Sequence, residues 1–288
     1  MKISISGKGG SGKSTATTLL SLGLIERGYH PLVIDADESN TVLYRMLGLE
    51  TPPIPLVALA GGRQMVRQLM PPGYKPAEAK EGTHVLTQSR ISLDEIPPEN
   101  VARKDNLSLI VVGKITESLE GCACPMGVLG REFLGKLQLE QNEIAITDME
   151  AGIEHFGRGF EASLDRVLIV VEPSFESITL AERIRHLALG IGIGEIWAVI
   201  NKVNSEALTI RLKEELGKRN VRVIGTIPYD EEVFTASFEG KPLKLGKGVL
   251  ARSVAAIVDQ ILASNNSLKK CQSNGIIPPG YYSHRRTA

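Results

Sequence analysis

Charge of one sign is missing from this sequence: 33 lysines and arginines are matched by 33 aspartates and glutamates, for a formal net charge of zero. No global field then draws the chain toward nucleic acid, anionic lipid or an acidic partner, and any such contact needs a local patch. Neither nucleic acid nor membrane is an expected partner. Long apolar runs are missing too. No stretch approaches the roughly 20 consecutive apolar residues that cross a bilayer, and Met1 leads into a strand-like run, not into a charged segment and apolar signal core. A cytoplasmic protein is the expectation. Cysteine is scarce, at three in 288 residues, which excludes a disulfide scaffold and leaves metal binding, redox chemistry or packing for each thiol. No internal repeat is present.

What is there is an ordinary globular composition, 42% hydrophobic, long enough for one large α/β core or two small domains. Strand-like runs fall at residues 2–6, 31–35, 107–112, 143–147, 166–171, 196–200 and 221–227. Helical spacing follows in Ala16, Leu20 and Leu24, in Leu129, Phe133 and Leu137, in Ile178, Ala181 and Ile184, and in Val254, Ile257, Val258 and Ile261. Strands that are continuously apolar and alternate with helices predict an α/β fold, a mostly parallel central sheet with helices on both faces. Ligands then lie at the strand carboxyl ends. Proline clusters in TPPIP, MPPGYKP and EIPPEN break this rhythm and predict an irregular insertion at about 51–105 within a single domain spanning 1–264. From about Asn265 to residue 288, NNS, IIPPGYY and SHRRTA read as a flexible tail.

Residues 7–14, GKGGSGKS, fit two motifs. Gly7, Gly9 and Gly12 match the dinucleotide pattern G-x-G-x-x-G, with Asp35 ending the next strand where a ribose-binding acid would lie. Gly7, Gly12, Lys13 and Ser14 match G-x-x-x-x-G-K-[ST], which is longer and specifies a charge and a hydroxyl as well as glycines. The second reading prevails. Backbone N–H groups of Gly7–Thr15 (Gly9, Gly10 and Ser11 among them) cradle phosphates at a helix amino end, Lys13 neutralises the terminal phosphates, and the Ser14 hydroxyl ligates magnesium.

Lys8 adds a second cation at the front of the loop, where it reaches a phosphate across a dimer interface more easily than the one held by its own chain. With it the loop resembles the deviant Walker A family, KGGxGK[ST], which includes MinD and ParA partitioning ATPases and the nitrogenase iron protein. The resemblance implies a P-loop NTPase fold, an ATP-controlled homodimer and ATP hydrolysis, with Lys8 contacting nucleotide in the partner subunit. It assigns Asp37, in IDADESN, to orienting the attacking water, and places Asn40 beside it in the same switch. Asp148, in TDMEAGIEHFGRG, ends a hydrophobic strand, where a carboxylate holds magnesium, as Asp35 is expected to do; Gly152 then offers its N–H to the terminal phosphate. Asn201 ends a later strand, where its amide can pair with adenine as donor and acceptor, and Lys202 and Pro228, in INKV and IPYDE, complete the implied nucleotide set of ATP or ADP with Mg2+.

Cys122 and Cys124 lie in EGCACPMG, between a strand expected to end near Ile115 and a helix expected near Pro125. Two thiols one residue apart can face the same side of a turn, and soft thiolates suit zinc, nickel, copper or an iron–sulfur cluster. Two ligands leave a four-coordinate site half built, and a twofold axis would supply the other pair from a second copy; packed, inert cysteines are the bland alternative. Cys271 falls in the polar tail. KGGSGKST, GKITESLEGCACP, DMEAGIEHFGRG, VINKV and IPYDE together resemble the CooC-type accessory ATPases of carbon monoxide dehydrogenase. That resemblance implies cytoplasmic homodimers that assist nickel insertion into carbon monoxide dehydrogenase or a related nickel/iron–sulfur enzyme, with Ni2+ or Zn2+ held by Cys122 and Cys124. Two other readings stand beside it: an electron-transfer or scaffold ATPase of the nitrogenase iron protein type, and a MinD/ParA-like positioning switch.

Overall fold

The seven apolar runs all become strands. In the computed structural model, which describes residues 1–70, 86–115, 124–157 and 159–273, these are β1 (Lys2–Gly7), β2 (His30–Asp35), β4 (Leu107–Val111), β5 (Glu143–Asp148), β6 (Arg166–Val171), β7 (Glu195–Val203) and β8 (Arg222–Pro228). An eighth, β3 (Ala102–Lys104), pairs antiparallel with β4 across a two-residue turn in which Asp105 takes a positive φ of 49°. Three residues are too few to show a period, so this strand left no signal in the sequence. The sheet order is β3-β4-β2-β5-β1-β6-β7-β8, and every pair from β4 to β8 is parallel. Its helices are α1 (Lys13–Ile25), α2 (Leu43–Met46), α3 (Leu56–Leu59), α4 (Arg63–Leu69), α5 (Cys124–Lys136), α6 (Glu154–Gly157), α7 (Phe175–Gly190), α8 (Glu206–Lys218), α9 (Glu231–Glu239) and α10 (Val249–Ser273).

Alternation along each strand divides the core between the two faces. Ile3 and Ile5 of β1 pack with Leu20 of α1 and with Val254, Ile257 and Val258 of α10. On the opposite face, Val167 and Ile169 of β6 meet α7 and α8, while Leu32 and Ile34 of β2 meet α5. Every apolar residue that helical spacing selected in the sequence is buried, and each of the larger ones (Leu, Ile, Val, Phe) contributes about 1.5–3 kcal/mol. At Gly225 of β8 the sheet approaches α10 so closely that a Cβ would run into Ile257.

The expected insertion is less irregular than its prolines suggested. It carries α3 and α4, and Leu56, Ala60, Val66, Ile91 and Ile96 are buried in the same core as α5; its residues 71–85 lie outside the described part. β4 stops at Val111, short of the expected Ile115. The tail expected from Asn265 begins inside α10, which continues to Ser273 because no glycine or proline interrupts it before Gly275. Residues 274–288 lie outside the described part.

Candidate functional site

Parallel register brings the strand ends to one edge. Gly7 stands beside Val170, Ile5 beside Asp148, and Asp148 beside Asp35. From that edge the phosphate loop turns into α1. Gly7, at φ 148°, must be glycine because a Cβ would lie 2.6 Å from the Val170 carbonyl oxygen. Gly12 precedes α1 in the left-handed region, φ 93°, and a Cβ there would collide with the Asn201 amide. No side chain caps the first turn of α1, so its backbone N–H groups and the positive end of its dipole face the loop, an arrangement suited to phosphate. Ser11 N–H closes the loop on the Lys8 carbonyl at 3.1 Å. Lys13 Nζ reaches the same carbonyl at 3.4 Å. Burial lowers the Lys13 pKa below the usual lysine value, and Asp148 opposes that effect.

The carboxylates behind the loop divide into two sets. Ser14 Oγ donates to Asp148 Oδ2 at 2.6 Å, Thr17 Oγ1 donates to Oδ1 at 3.4 Å, and Asn40 Nδ2 donates to both Ser14 Oγ (2.9 Å) and Asp148 Oδ2 (3.3 Å). A hydroxyl and a carboxylate in contact beside a phosphate cradle are the hard oxygen donors magnesium prefers, and they fit it. Asp35, also expected at the magnesium, has a different set of partners. Its Oδ2 pairs with Lys114 Nζ at 2.7 Å and its Oδ1 accepts the Asp37 N–H at 3.2 Å. Burial pushes the Asp35 carboxyl up to about 7 and that of Asp148 to about 6. Asp37 is more open: its carboxylate accepts from the Ser39 N–H (2.9 Å) and hydroxyl (2.6 Å) at the edge of the cavity.

Four residues expected to contact nucleotide have partners within the chain. Lys8 Nζ folds back onto Glu172 Oε1 (3.0 Å) and Glu176 Oε2 (3.4 Å) of its own chain. The Gly152 N–H, at φ 94°, donates to the Gly7 carbonyl at 3.2 Å and so sits against the phosphate loop. Asn201 Nδ2 donates to the Ser11 carbonyl at 2.8 Å, which uses one of the amide hydrogens expected to read adenine. Lys202, in the left-handed region at φ 60°, reaches the Gly10 carbonyl at 2.5 Å. A cavity of about 740 Å3 opens between the loop residues Gly9, Gly10 and Gly12–Thr15 and a wall formed by Asn201, Lys202, Pro228, Tyr229 and Phe234. Its size and mixed lining suit a nucleotide. Asp230 caps α9 by accepting from the Glu232 and Val233 N–H groups, 3.0 Å each, which fixes that wall.

Residues 3–243 match the model of the CobQ/CobB/MinD/ParA nucleotide-binding domain. The chain belongs to that family. It is 41% identical over 244 residues to an uncharacterized ATP-binding protein of Methanocaldococcus jannaschii, covering 84% of this chain and 94% of the relative. It is 32% identical over 248 residues to the carbon monoxide dehydrogenase accessory protein CooC of Rhodospirillum rubrum, covering 83% and 88%. The septum site-determining protein MinD of Pyrococcus horikoshii, solved with Mg-ADP, shares the fold at a TM-score of 0.65 and 19% identity, covering 92% of this chain and 97% of that one.

Within this CobQ/CobB/MinD/ParA frame Cys124 is not among the residues that line the cavity at the phosphate loop. Cys124 opens α5 and is partly exposed; Cys122 lies outside the described residues, as does most of the segment before it. Among the described residues no group of three or more histidine, cysteine, aspartate or glutamate side chains forms a metal site, and no helix is long and apolar enough to cross a membrane. Sequence reasoning missed Glu172, Lys114, Arg63 and Glu38. Glu172 directly follows β6, near where the other acids end their strands, and that position was its only sequence signal. Lys114 and Arg63 carried none.

Proposed function

We propose that this protein is an ATP-hydrolysing, cytoplasmic homodimeric maturation factor, with residues 1–264 acting as one ATPase domain, that assists nickel insertion into carbon monoxide dehydrogenase or a related nickel/iron–sulfur enzyme. The metal is its cargo, held by Cys122 and Cys124 of each of two subunits. The observation that carries this reading is the 32% identity to the accessory protein CooC over 83% of this chain and 88% of that one.

The nucleotide seats its phosphates on the N–H groups of Gly9–Thr15 and its base against Pro228, Tyr229 and Phe234. Lys13 and, from the second subunit, Lys8 neutralise the charge that develops on the terminal phosphoryl group. Asp37 accepts a hydrogen bond from the attacking water and aligns it for in-line displacement. Magnesium, held by Ser14 and Asp148, supplies further charge neutralisation when bound. To cross the dimer interface, Lys8 leaves Glu172 and Glu176, so release of this ion pair accompanies closure.

Equilibrium nickel and zinc binding with oligomeric mass tests the proposal, on anaerobically purified protein with and without nucleotide and on a Cys122→Ser/Cys124→Ser variant. One metal per two chains, lost in the variant and altered by nucleotide, is the expected result. Metal-free protein in every state would eliminate cargo binding and leave a nucleotide-controlled switch.

A further inference from the structure

Beyond β4 the chain runs through Gly113, Lys114 and Ile115, and this short strip touches both halves of the proposed machine. On one side it holds the switch. Lys114 Nζ donates to the Asp37 carbonyl at 2.5 Å while pairing with Asp35 Oδ2 at 2.7 Å, and the Ile115 N–H donates to the Glu38 carbonyl at 3.3 Å. Arg63 Nη2 fastens the arrangement from α4, donating to Glu38 Oε2 at 2.6 Å and to the Lys114 carbonyl at 3.3 Å. On the other side the strip packs under α5. A Cβ on Gly113 would overlap the thioether of Met126, two residues after Cys124. The gap left between Ala36 and Glu38 on one side and Met126 and Gly127 on the other is a cavity of about 20 Å3, room for no more than one water.

We propose that Lys114 is a positioning residue that ties the Asp37 switch to the first turn of α5, so that a change at the phosphate site reaches Cys124 through it. The inference rests on the reading of the phosphate loop as a nucleotide site coupled to the thiols. Its physical basis is the doubly engaged ammonium. Asp35 anchors Lys114 to the end of β2, while the Asp37 carbonyl belongs to the segment that must move when Asp37 turns toward a water at the terminal phosphate. A shift of that carbonyl pulls on Lys114, and close packing of Gly113 on Met126 passes the displacement on, because interiors this dense transmit strain. A counter-ion for Asp35 alone would need none of the contact with Asp37.

The test uses a chain with Cys124 as its only cysteine, made by Cys122→Ser and Cys271→Ser, so that the readout needs no metal. Alkylation of Cys124 by iodoacetamide is timed with and without Mg2+ and a non-hydrolysable ATP analogue, alongside direct measurement of nucleotide binding. With Lys114 present, nucleotide is expected to change the alkylation rate by about fivefold or more, within the usual span of coupling between sites. In Lys114→Met that ratio falls to one while nucleotide still binds. A second variant, Lys114→Met/Asp35→Asn, also removes the buried carboxyl left without its cation, yet the ratio stays at one. A nucleotide response that persists in both variants would overturn the assignment. Nucleotide binding without any thiol response in the Lys114 chain would overturn the coupling itself, and absent nucleotide binding would sink the phosphate-site reading beneath it.

Discussion

Asp35 makes the stability of the nucleotide-free protein depend on pH in an unusual direction. Its carboxyl is 2% exposed and is pushed from 3.8 to about 7, chiefly by burial, with Lys114 holding it from rising further. Below pH 3.8 both folded and unfolded chains carry the proton. Between that value and about 7 the unfolded chain has released it and the folded chain has not, so unfolding releases a proton and stability falls as pH rises through this window. The full displacement corresponds to about 4 kcal/mol, and local relaxation brings the expected loss to about 2–4 kcal/mol. Asp35→Asn removes the titrating group, so the stability difference between the unsubstituted protein and the variant should shrink or reverse by that amount from pH 4 to 7. Urea unfolding at fixed pH steps reads it directly. With a slope of about 3 kcal/mol per molar urea, the midpoint difference moves by roughly 1 M across the window. Histidines and acids remote from Asp35 titrate equally in both proteins and cancel, so the difference reports Asp35 together with its coupling to Asp148. A midpoint difference that stays constant from pH 4 to 7, or that moves the other way, would refute the desolvation argument.

Gly12→Ala forces an L-residue to φ 93° and drives a methyl group into Asn201; nucleotide affinity should fall about tenfold or more while the fold persists, and fluorescent-nucleotide titration showing unchanged affinity would contradict the tight loop geometry. Glu172→Gln removes the nearest partner of Lys8, so nucleotide-dependent dimerisation, measured by sedimentation, should strengthen by about two- to fivefold, in keeping with a partly exposed ion pair; weaker dimerisation would mean that Glu172 serves the closed state instead. Gly225→Val wedges a branched side chain beneath Ile257 of α10 and should lower stability by about 1–3 kcal/mol in thermal unfolding without changing nucleotide affinity, since it lies away from the loop.

Leu32, Leu168 and Val199 lie in strands that could be read residue by residue, because a parallel strand buried on both faces is written as a continuous apolar run. The phosphate loop was equally legible. Its chemistry resides in backbone N–H groups, glycine conformations, two lysines and a serine hydroxyl, all within nine consecutive residues, and local geometry is encoded locally. What only the tertiary structure decided was which side chains meet. Asp35 and Asp148 both end apolar strands and read alike in the sequence, yet strand order and register put Lys114 beside the first and Ser14 beside the second. Lys8 reads as a cation awaiting a partner's phosphate and is found on Glu172, 164 residues away. The linear pattern specifies each element through its period and its caps, whereas ion pairs between elements depend on how far separated segments are brought into register, a long-range outcome of packing that no local spacing records.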